Sequence, residues 1–181
     1  GFRGMAVDKG QALLKVIEKI PMFNRIGATS AAAVLQGCEF RALESHEGLC
    51  KAGEPSDEMA VLLSGRLGVY TGGDVEIATI TPVAPVGEMG LITGQARSAT
   101  VRALERSSLL ILRKPAFERL MRGNTQICRQ VYANVIDILA VREQDGRLRQ
   151  LEAEGEITLL EDQLTQMREE TDSLRRGVAE T

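Results

Sequence analysis

The residues with the most chemistry to offer lie in one short segment, Gly87-Glu88-Met89-Gly90-Leu91-Ile92-Thr93-Gly94-Gln95-Ala96-Arg97-Ser98-Ala99-Thr100-Val101-Arg102-Ala103. Arg97 and Ser98 bring a guanidinium and a hydroxyl, donors suited to an anion with several acceptor oxygens. The first half is too short for a structural helix and long enough for one helical turn. Such a turn aims free backbone N–H groups and the positive end of the helix dipole at whatever precedes it. Glycine at 87 and 90 lets the backbone approach a ligand closely. These groups together make a pocket for one small anion such as a phosphate. Glu88 does not fit a site for a bare anion, because a carboxylate there must accept from a neutral hydroxyl donor such as a ribose. The segment therefore reads as a nucleotide pocket, charged at one end and neutral at the other. Taken singly, Arg97, Glu88 and Ser98 are a surface arginine, a solvated turn carboxylate and a strand residue. Their combination with the flanking glycines makes the pocket.

The rest of the 181 residues offers little competing chemistry. There is one histidine, His46, expected in an exposed loop, so a His-based metal site or a Ser-His-Asp triad has almost nothing to draw on. The three cysteines, Cys38, Cys50 and Cys128, have no metal-ligand spacing, and their odd number argues against a disulfide framework. A reducing, cytoplasmic location is the expectation. Cys50 and Cys128 read as small buried apolar groups. With no metal cluster and no base near the segment, the chain is expected to be neither a hydrolase nor any other enzyme, and to hold no metal. Aromatic residues are 3 % of the chain with no tryptophan, which excludes a stacking platform for single strands. The net charge of −3 provides no general field for DNA phosphates. No apolar run approaches the ~20 residues of a membrane span.

The elements that must position the segment separate by pattern. Leu13, Leu14, Val16, Ile17 and Ile20 recur at helical spacing and stop at Pro21. A second small helix follows, with Thr29-Ser30 as its cap and Gly37 as its stop. From Cys38 the period shortens. Strands are predicted at 38–43, 48–50, 59–64, 66–70, 75–80, 98–103 and 109–113, with turns at Gly53–Asp57, Ser64-Gly65, Gly72-Gly73 and Pro82–Pro85. Short strands with close glycine turns indicate an antiparallel sandwich or jelly roll. Pro115 then opens a helix that breaks at Gly123, and Asn124 or Thr125 caps a longer one carrying Ile127, Val131, Val135, Ile138 and Leu139.

Gly87-Glu88-Met89-Gly90-Leu91 followed by Arg97-Ser98-Ala99-Thr100-Val101-Arg102-Ala103 resembles the phosphate-binding cassette of cyclic nucleotide-binding domains. Residues 59–70 resemble the family's central hairpin, and 107–121 its last strand and following helix, so the likeness covers about residues 20–142. The resemblance implies roles. Arg97 would pair with the cyclic phosphate and Glu88 with the ribose 2′-hydroxyl. Ser98 and the amides of Gly90 and Leu91 would complete the phosphate shell, and Gly87 would allow close approach. Met89 and Ala99 belong to the same cassette, and Val61, Val69, Met89 and Val101 would supply apolar walls. The helix after Asn124 would lie over the base, with Asn134, Asp137, Arg142 and Glu143 as candidate contacts. Gly90 stands where the family usually has alanine, which should loosen the cassette turn, and Pro82–Pro85 replaces a more usual Gly-Asp. A serine at 98 occurs in cAMP binders and can also meet a guanine amino group, so cAMP is favoured and cGMP stays open.

Beyond Gly146 the chain is polar and heptad-like. Ile157, Leu160, Leu164, Met167, Thr171, Leu174 and Val178 step alternately by three and four, the seam of a coiled coil. In a parallel pair Glu170 would face Arg175 of the other strand, which favours parallel over antiparallel association. Leu148 and Leu151 fall outside that register, and Gly146 and Gly155 predict a stutter or joint. The expected architecture is α+β: an antiparallel β-roll of jelly-roll type with flanking N- and C-terminal helices and a C-terminal coiled-coil helix. The expected layout is an N-terminal helical segment at 1–20, the binding domain at 21–142 and a dimerisation helix at 143–181. The expected function is a cyclic nucleotide sensor that forms a parallel homodimer and passes its signal to a protein partner or a fused output domain, with no DNA bound and no membrane segment. The rival reading is a β-roll that has lost ligand binding and serves as an assembly module. Intact Glu88, Arg97 and Ser98 argue against it.

Overall fold

A computed structural model of the chain describes residues 2–72 and 74–179, so Gly1, and Gly73 of the expected hairpin turn, lie outside the described residues. Helix α1 is Phe2–Lys19 and α2 is Ala28–Gln36, joined through a 3-10 turn at Pro21–Phe23. The strands follow as β1 Cys38–Leu43, β2 Gly48–Cys50, β3 Glu58–Ser64, β4 Leu67–Thr71, β5 Val75–Ile80 and β6 Ala84–Val86. A short helix α3, Glu88–Thr93, leads to β7 Thr100–Ala103 and β8 Ser107–Arg113. Helices α4, Lys114–Gly123, and α5, Thr125–Ala179, end the chain.

The strands form two four-stranded antiparallel sheets, β1-β8-β3-β6 and β2-β7-β4-β5, that are not closed into a barrel. Pairing β3 with β8 in the middle of one sheet buries both faces of each strand, which is why Leu109–Leu112 is a continuous apolar run. Successive side chains point to opposite faces. Met59, Val61, Leu110 and Leu112 therefore pack with Ile17, Ile20, Phe23, Phe117, Ile127 and Val131 of the helices. Ala60, Leu62, Leu109 and Ile111 pack with Leu67, Val101 and Ala103 of the second sheet. The first sheet is thus the middle layer, with helices on one face and strands on the other.

Several boundaries differ from the sequence expectation for physical reasons. Strand β6 runs through what the sequence presents as a Pro-rich turn. It lies at the edge of its sheet, where Pro85 opposite Val61 forfeits no interior hydrogen bond. Helix α2 begins at Ala28 with Gly27 as its cap, so the expected cap pair Thr29-Ser30 lies inside its first turn. The strand expected from Ser98 begins at Thr100. Asn124, the first of the two expected caps, accepts from the amides of Gln126 and Ile127, both at 3.0 Å, and so starts α5. Cys50 and Cys128 are half-buried free thiols rather than fully buried ones. His46 is exposed, as expected.

The chain divides into two units, residues 1–136 and 137–181. In the second, helix assignment continues through Gly146 and Gly155 without the expected interruption. Its apolar residues, Ile157, Leu160, Leu164 and Met167 among them, are exposed on the single chain. The side chains of Thr171, Leu174 and Val178, and of the proposed pair Glu170 and Arg175, lie outside the described residues. No helix among the described residues is long and apolar enough to cross a membrane.

Asn134, expected among the base contacts, is spent inside the first unit. Its side-chain amide donates to the carbonyls of Met22 (3.0 Å) and Asn24 (2.7 Å), and its oxygen accepts from Gln130 (3.0 Å). The side chain is thereby the tie between α5 and the turn after α1. Asn134→Ala should cost about 1–3 kcal/mol because it leaves the buried Met22 carbonyl and the partly buried Asn24 carbonyl without this donor. Urea denaturation of wild type and variant checks this, and an unchanged midpoint would refute the tie.

Candidate functional site

The site is built where β3, β6 and the segment before β7 meet. Strand β6 lies antiparallel to β3, with Val86 opposite Ala60, so the chain leaves β6 at Gly87 beside the start of β3. Gly87 has φ +78°, a conformation that suits glycine. It turns the chain directly into α3, with Glu88 half-buried in the first turn. On the far side of α3, Arg97 is fixed by its own backbone before its side chain is considered. Its N–H donates to the Glu54 carbonyl at 2.9 Å, and its carbonyl accepts from the Gly53 amide at 2.8 Å.

The Arg97 side chain returns to Gly87. A Cβ on Gly87 would collide with Nη1 of Arg97, so the guanidinium lies directly on the glycine backbone. Nη2 donates to the Glu58 carbonyl at 2.5 Å. Nε and Nη1 are buried without a hydrogen-bond partner. Buried polar groups are nearly always satisfied, and leaving one unpaired costs about 1–3 kcal/mol, more when it is charged. A cation in this position, with two donors unspent, is chemically matched to an anion carrying several acceptor oxygens.

The other residues singled out from the sequence divide. Gly87 and Arg97 are brought into contact. Met89 and Leu91 turn the opposite way and pack into the helical core layer. Ser98 is exposed and Ala99 half-buried, and the Ala99 carbonyl accepts weakly from the Cys50 thiol at 3.8 Å. Val61 and Val101 are buried core residues, while Val69 is half-buried. Asp137 is exposed, and Glu143 is paired to Arg147 at 2.6 Å along its own helix. At Gly90, the space an alanine methyl would take is filled by the buried Ser56 side chain.

Sequence reasoning passed over the segment Gly53–Glu58, with Gly53–Asp57 read only as a turn and Glu58 left unassigned, although it supplies every hydrogen-bond partner just described for Arg97. Glu58 itself is clamped. Arg41 donates to both its carboxylate oxygens, at 2.6 and 3.0 Å, and Arg113 approaches at 3.7 Å. Burial pushes the Glu58 carboxyl up, but the hydrogen bonds from Arg41 and the charges of Arg41, Arg113 and Arg97 outweigh it and hold the group below its ordinary value of 4.5. Burial also raises the Cys50 thiol against the opposing charge of Arg97. The only sequence signal for the clamp was complementary charge at 41 and 58, which nothing local brings together. Among the described residues no cluster of histidine, cysteine or carboxylate side chains could hold a metal ion.

Residues 40–124 match the family model described as the cyclic nucleotide-binding domain. A cyclic nucleotide-gated potassium channel of Mesorhizobium japonicum is 32 % identical over 113 residues, covering 62 % of this chain and 31 % of the channel. The chain thus spans under a third of that relative's length. Among solved structures, the N-terminal domain of a transcriptional regulator from Streptomyces coelicolor superposes with TM-score 0.66 at 21 % identity, over 71 % of this chain and 93 % of that one. The regulatory domain of Toxoplasma gondii PKA, crystallised with cAMP, superposes with TM-score 0.58 at 19 % identity, over 62 % and 44 % respectively. These likenesses establish the fold of the first unit.

The clamp has a pH signature. Because Glu58 titrates lower in the folded chain, its contribution is complete above its ordinary value and is lost as pH falls through the lowered one. Arg41→Gln should cost about 1–3 kcal/mol at neutral pH. The gap between variant and wild type should close as the pH drops below about 4. Chemical denaturation at pH 7 and pH 3 measures both gaps, and equal gaps would overturn the assignment.

Proposed function

Because the chain matches the cyclic nucleotide-binding domain family over residues 40–124, a family of regulatory rather than catalytic domains, we propose that it senses a cyclic mononucleotide. The observation that carries this reading is the pair of buried, unpartnered donors on Arg97, held against the backbone of Gly87. A cyclic phosphodiester supplies the single negative charge and the spare acceptors that those donors lack. Arg97 is the phosphate ligand in this reading. Ser98 and the amides of Gly90 and Leu91 complete the shell, and Glu88 takes the ribose 2′-hydroxyl. cAMP is the favoured ligand and cGMP the alternative, since a serine at 98 is compatible with either base.

Coupling follows from where Leu91 sits. It belongs to the same buried cluster as Phe117 of α4 and Ile127 and Val131 of α5. A ligand drawn onto Arg97 and the α3 turn changes the packing of Leu91, and the first turns of α5 respond. The ligand must favour one arrangement of this cluster over the other, or nothing is transmitted. The exposed apolar stripe of Ile157, Leu160, Leu164 and Met167 supports a parallel coiled-coil homodimer as the receiving assembly. A fused output domain or a protein partner takes the signal further.

Arg97→Met keeps the apolar stem and removes the donors. Its nucleotide affinity should fall by about 2–5 kcal/mol, roughly 30- to 5,000-fold. The melting temperature without ligand should hold or rise, since two unsatisfied donors are removed. Calorimetry with cAMP and cGMP decides, and wild-type affinity in the variant would sink the proposal. For the assembly, Leu160→Glu with Leu164→Glu should convert a dimer to a monomer in native mass spectrometry. A wild-type chain that is already monomeric at tens of micromolar would remove the coiled coil.

A further inference from the structure

We infer that Ser56 is a positioning residue for the nucleotide site, and that Ser56 and Gly90 are a size-matched pair that sets the distance between the α3 turn and Arg97. The inference rests on the proposed nucleotide reading of that site and adds a residue which that reading does not use. A Cβ built on Gly90 would collide with both Oγ and Cβ of Ser56. Ser56 is only 7 % exposed, and Gly90 is buried. The serine side chain therefore seats directly on the backbone of Gly90, the third residue of α3, in the space a side chain there would need. Close-packed interiors transmit such a constraint instead of absorbing it.

What makes the contact more than local packing is the chain on either side of Ser56. Two residues before it, Glu54 accepts from the Arg97 amide, and three before it, Gly53 donates to the Arg97 carbonyl. Two residues after it, the Glu58 carbonyl takes the Arg97 guanidinium. Glu58 is in turn immobilised by its paired contacts with Arg41. One six-residue segment thus holds Arg97 at both its backbone and its side chain, and holds α3 through Ser56. The two halves of the proposed phosphate shell, which are separated by the Gly94–Ala96 loop, are referenced to this one brace. A methyl at 90 would push α3 off the brace while leaving Arg97 where it is, so the shell would open without losing a single ligand group.

A double-mutant cycle reads this directly. Gly90→Ala, Ser56→Gly and the double variant are titrated with cAMP and with cGMP by calorimetry, and melted without ligand. Gly90→Ala should weaken binding about tenfold or more, because overpacking against Ser56 displaces the α3 turn from a phosphate held by Arg97. Ser56→Gly removes the obstacle, so the double variant should recover most of the lost affinity, and the two substitutions should be strongly non-additive. A merely structural contact would move the ligand-free melting temperature and leave the affinity of the folded protein alone. Additive affinity losses, or a Gly90→Ala variant with wild-type affinity, would overturn the inference while leaving the nucleotide site standing. Wild-type protein that binds neither nucleotide would overturn both, and coupling confined to the melting temperatures would then mark the pair as packing only.

Discussion

The site depends on one arrangement: a guanidinium laid on a glycine backbone with part of its hydrogen-bonding capacity unspent. Arg97 gives Nη2 to the Glu58 carbonyl and keeps Nε and Nη1 buried and unpaired against Gly87. A folded chain holds a charged group in that condition only when the surroundings over-determine its position. Here they do so from the backbone outwards, through the pairing of Arg97 with residues 53 and 54. The energy forgone by those donors in the ligand-free chain is available to an anion on arrival. Donors held in place before a ligand arrives lose less freedom on binding than those of a solvated arginine.

The layered fold makes that arrangement rigid on one side and responsive on the other. Strand β3 is central in its sheet and buried on both faces, so the start of the brace at Glu58 is tied to the stiffest part of the first unit. Helix α3 is different. It lies on the helical side of that sheet, where Leu91 shares a cluster with Phe117, Ile127 and Val131. A cavity of about 430 Å³ lined in part by Leu91, Phe117, Met121 and Tyr132 adjoins it. A strand fixed at the centre of its sheet thus stands on one side of the site, and a short helix beside an open cleft on the other.

How much was legible beforehand depended on the range of the interaction. Alternation and glycine turns located seven of the eight strands, because a half-buried strand writes its period into its own residues. Strand β6 escaped because Pro85 mimics a turn, and only its place at a sheet edge makes a proline tolerable there. The anion-accepting character of the segment was readable from Gly87, Arg97 and Ser98, with Glu88 beside them, since all fall within a dozen residues of one another. The brace was not readable, since Gly53–Glu58 lies some forty residues earlier and resembles any loop. Asn134 misled in the opposite direction. Its helix and polarity suited a base contact, but a side-chain amide within reach of the Met22 and Asn24 carbonyls satisfies them first.

By itself the sequence determined the classes of chemistry on offer: which groups could hold an anion, which chemistries had no residues to perform them, and where the period of the chain switched between helix and strand. Those are properties of residue type and short spacing, and they survive any rearrangement of the elements. Only the tertiary structure decided that Arg97 would be left with unpaired donors, that Ser56 would take the space beside Gly90, and that Arg41 would hold Glu58. Each of these joins residues that lie on different elements, from ten to about forty positions apart in the chain, and depends on sheet register and loop path. A one-residue slip of β3 against β8 would part Arg41 from Glu58, and one of β3 against β6 would shift Gly87 away from Arg97, while every local pattern in the sequence stayed as it was.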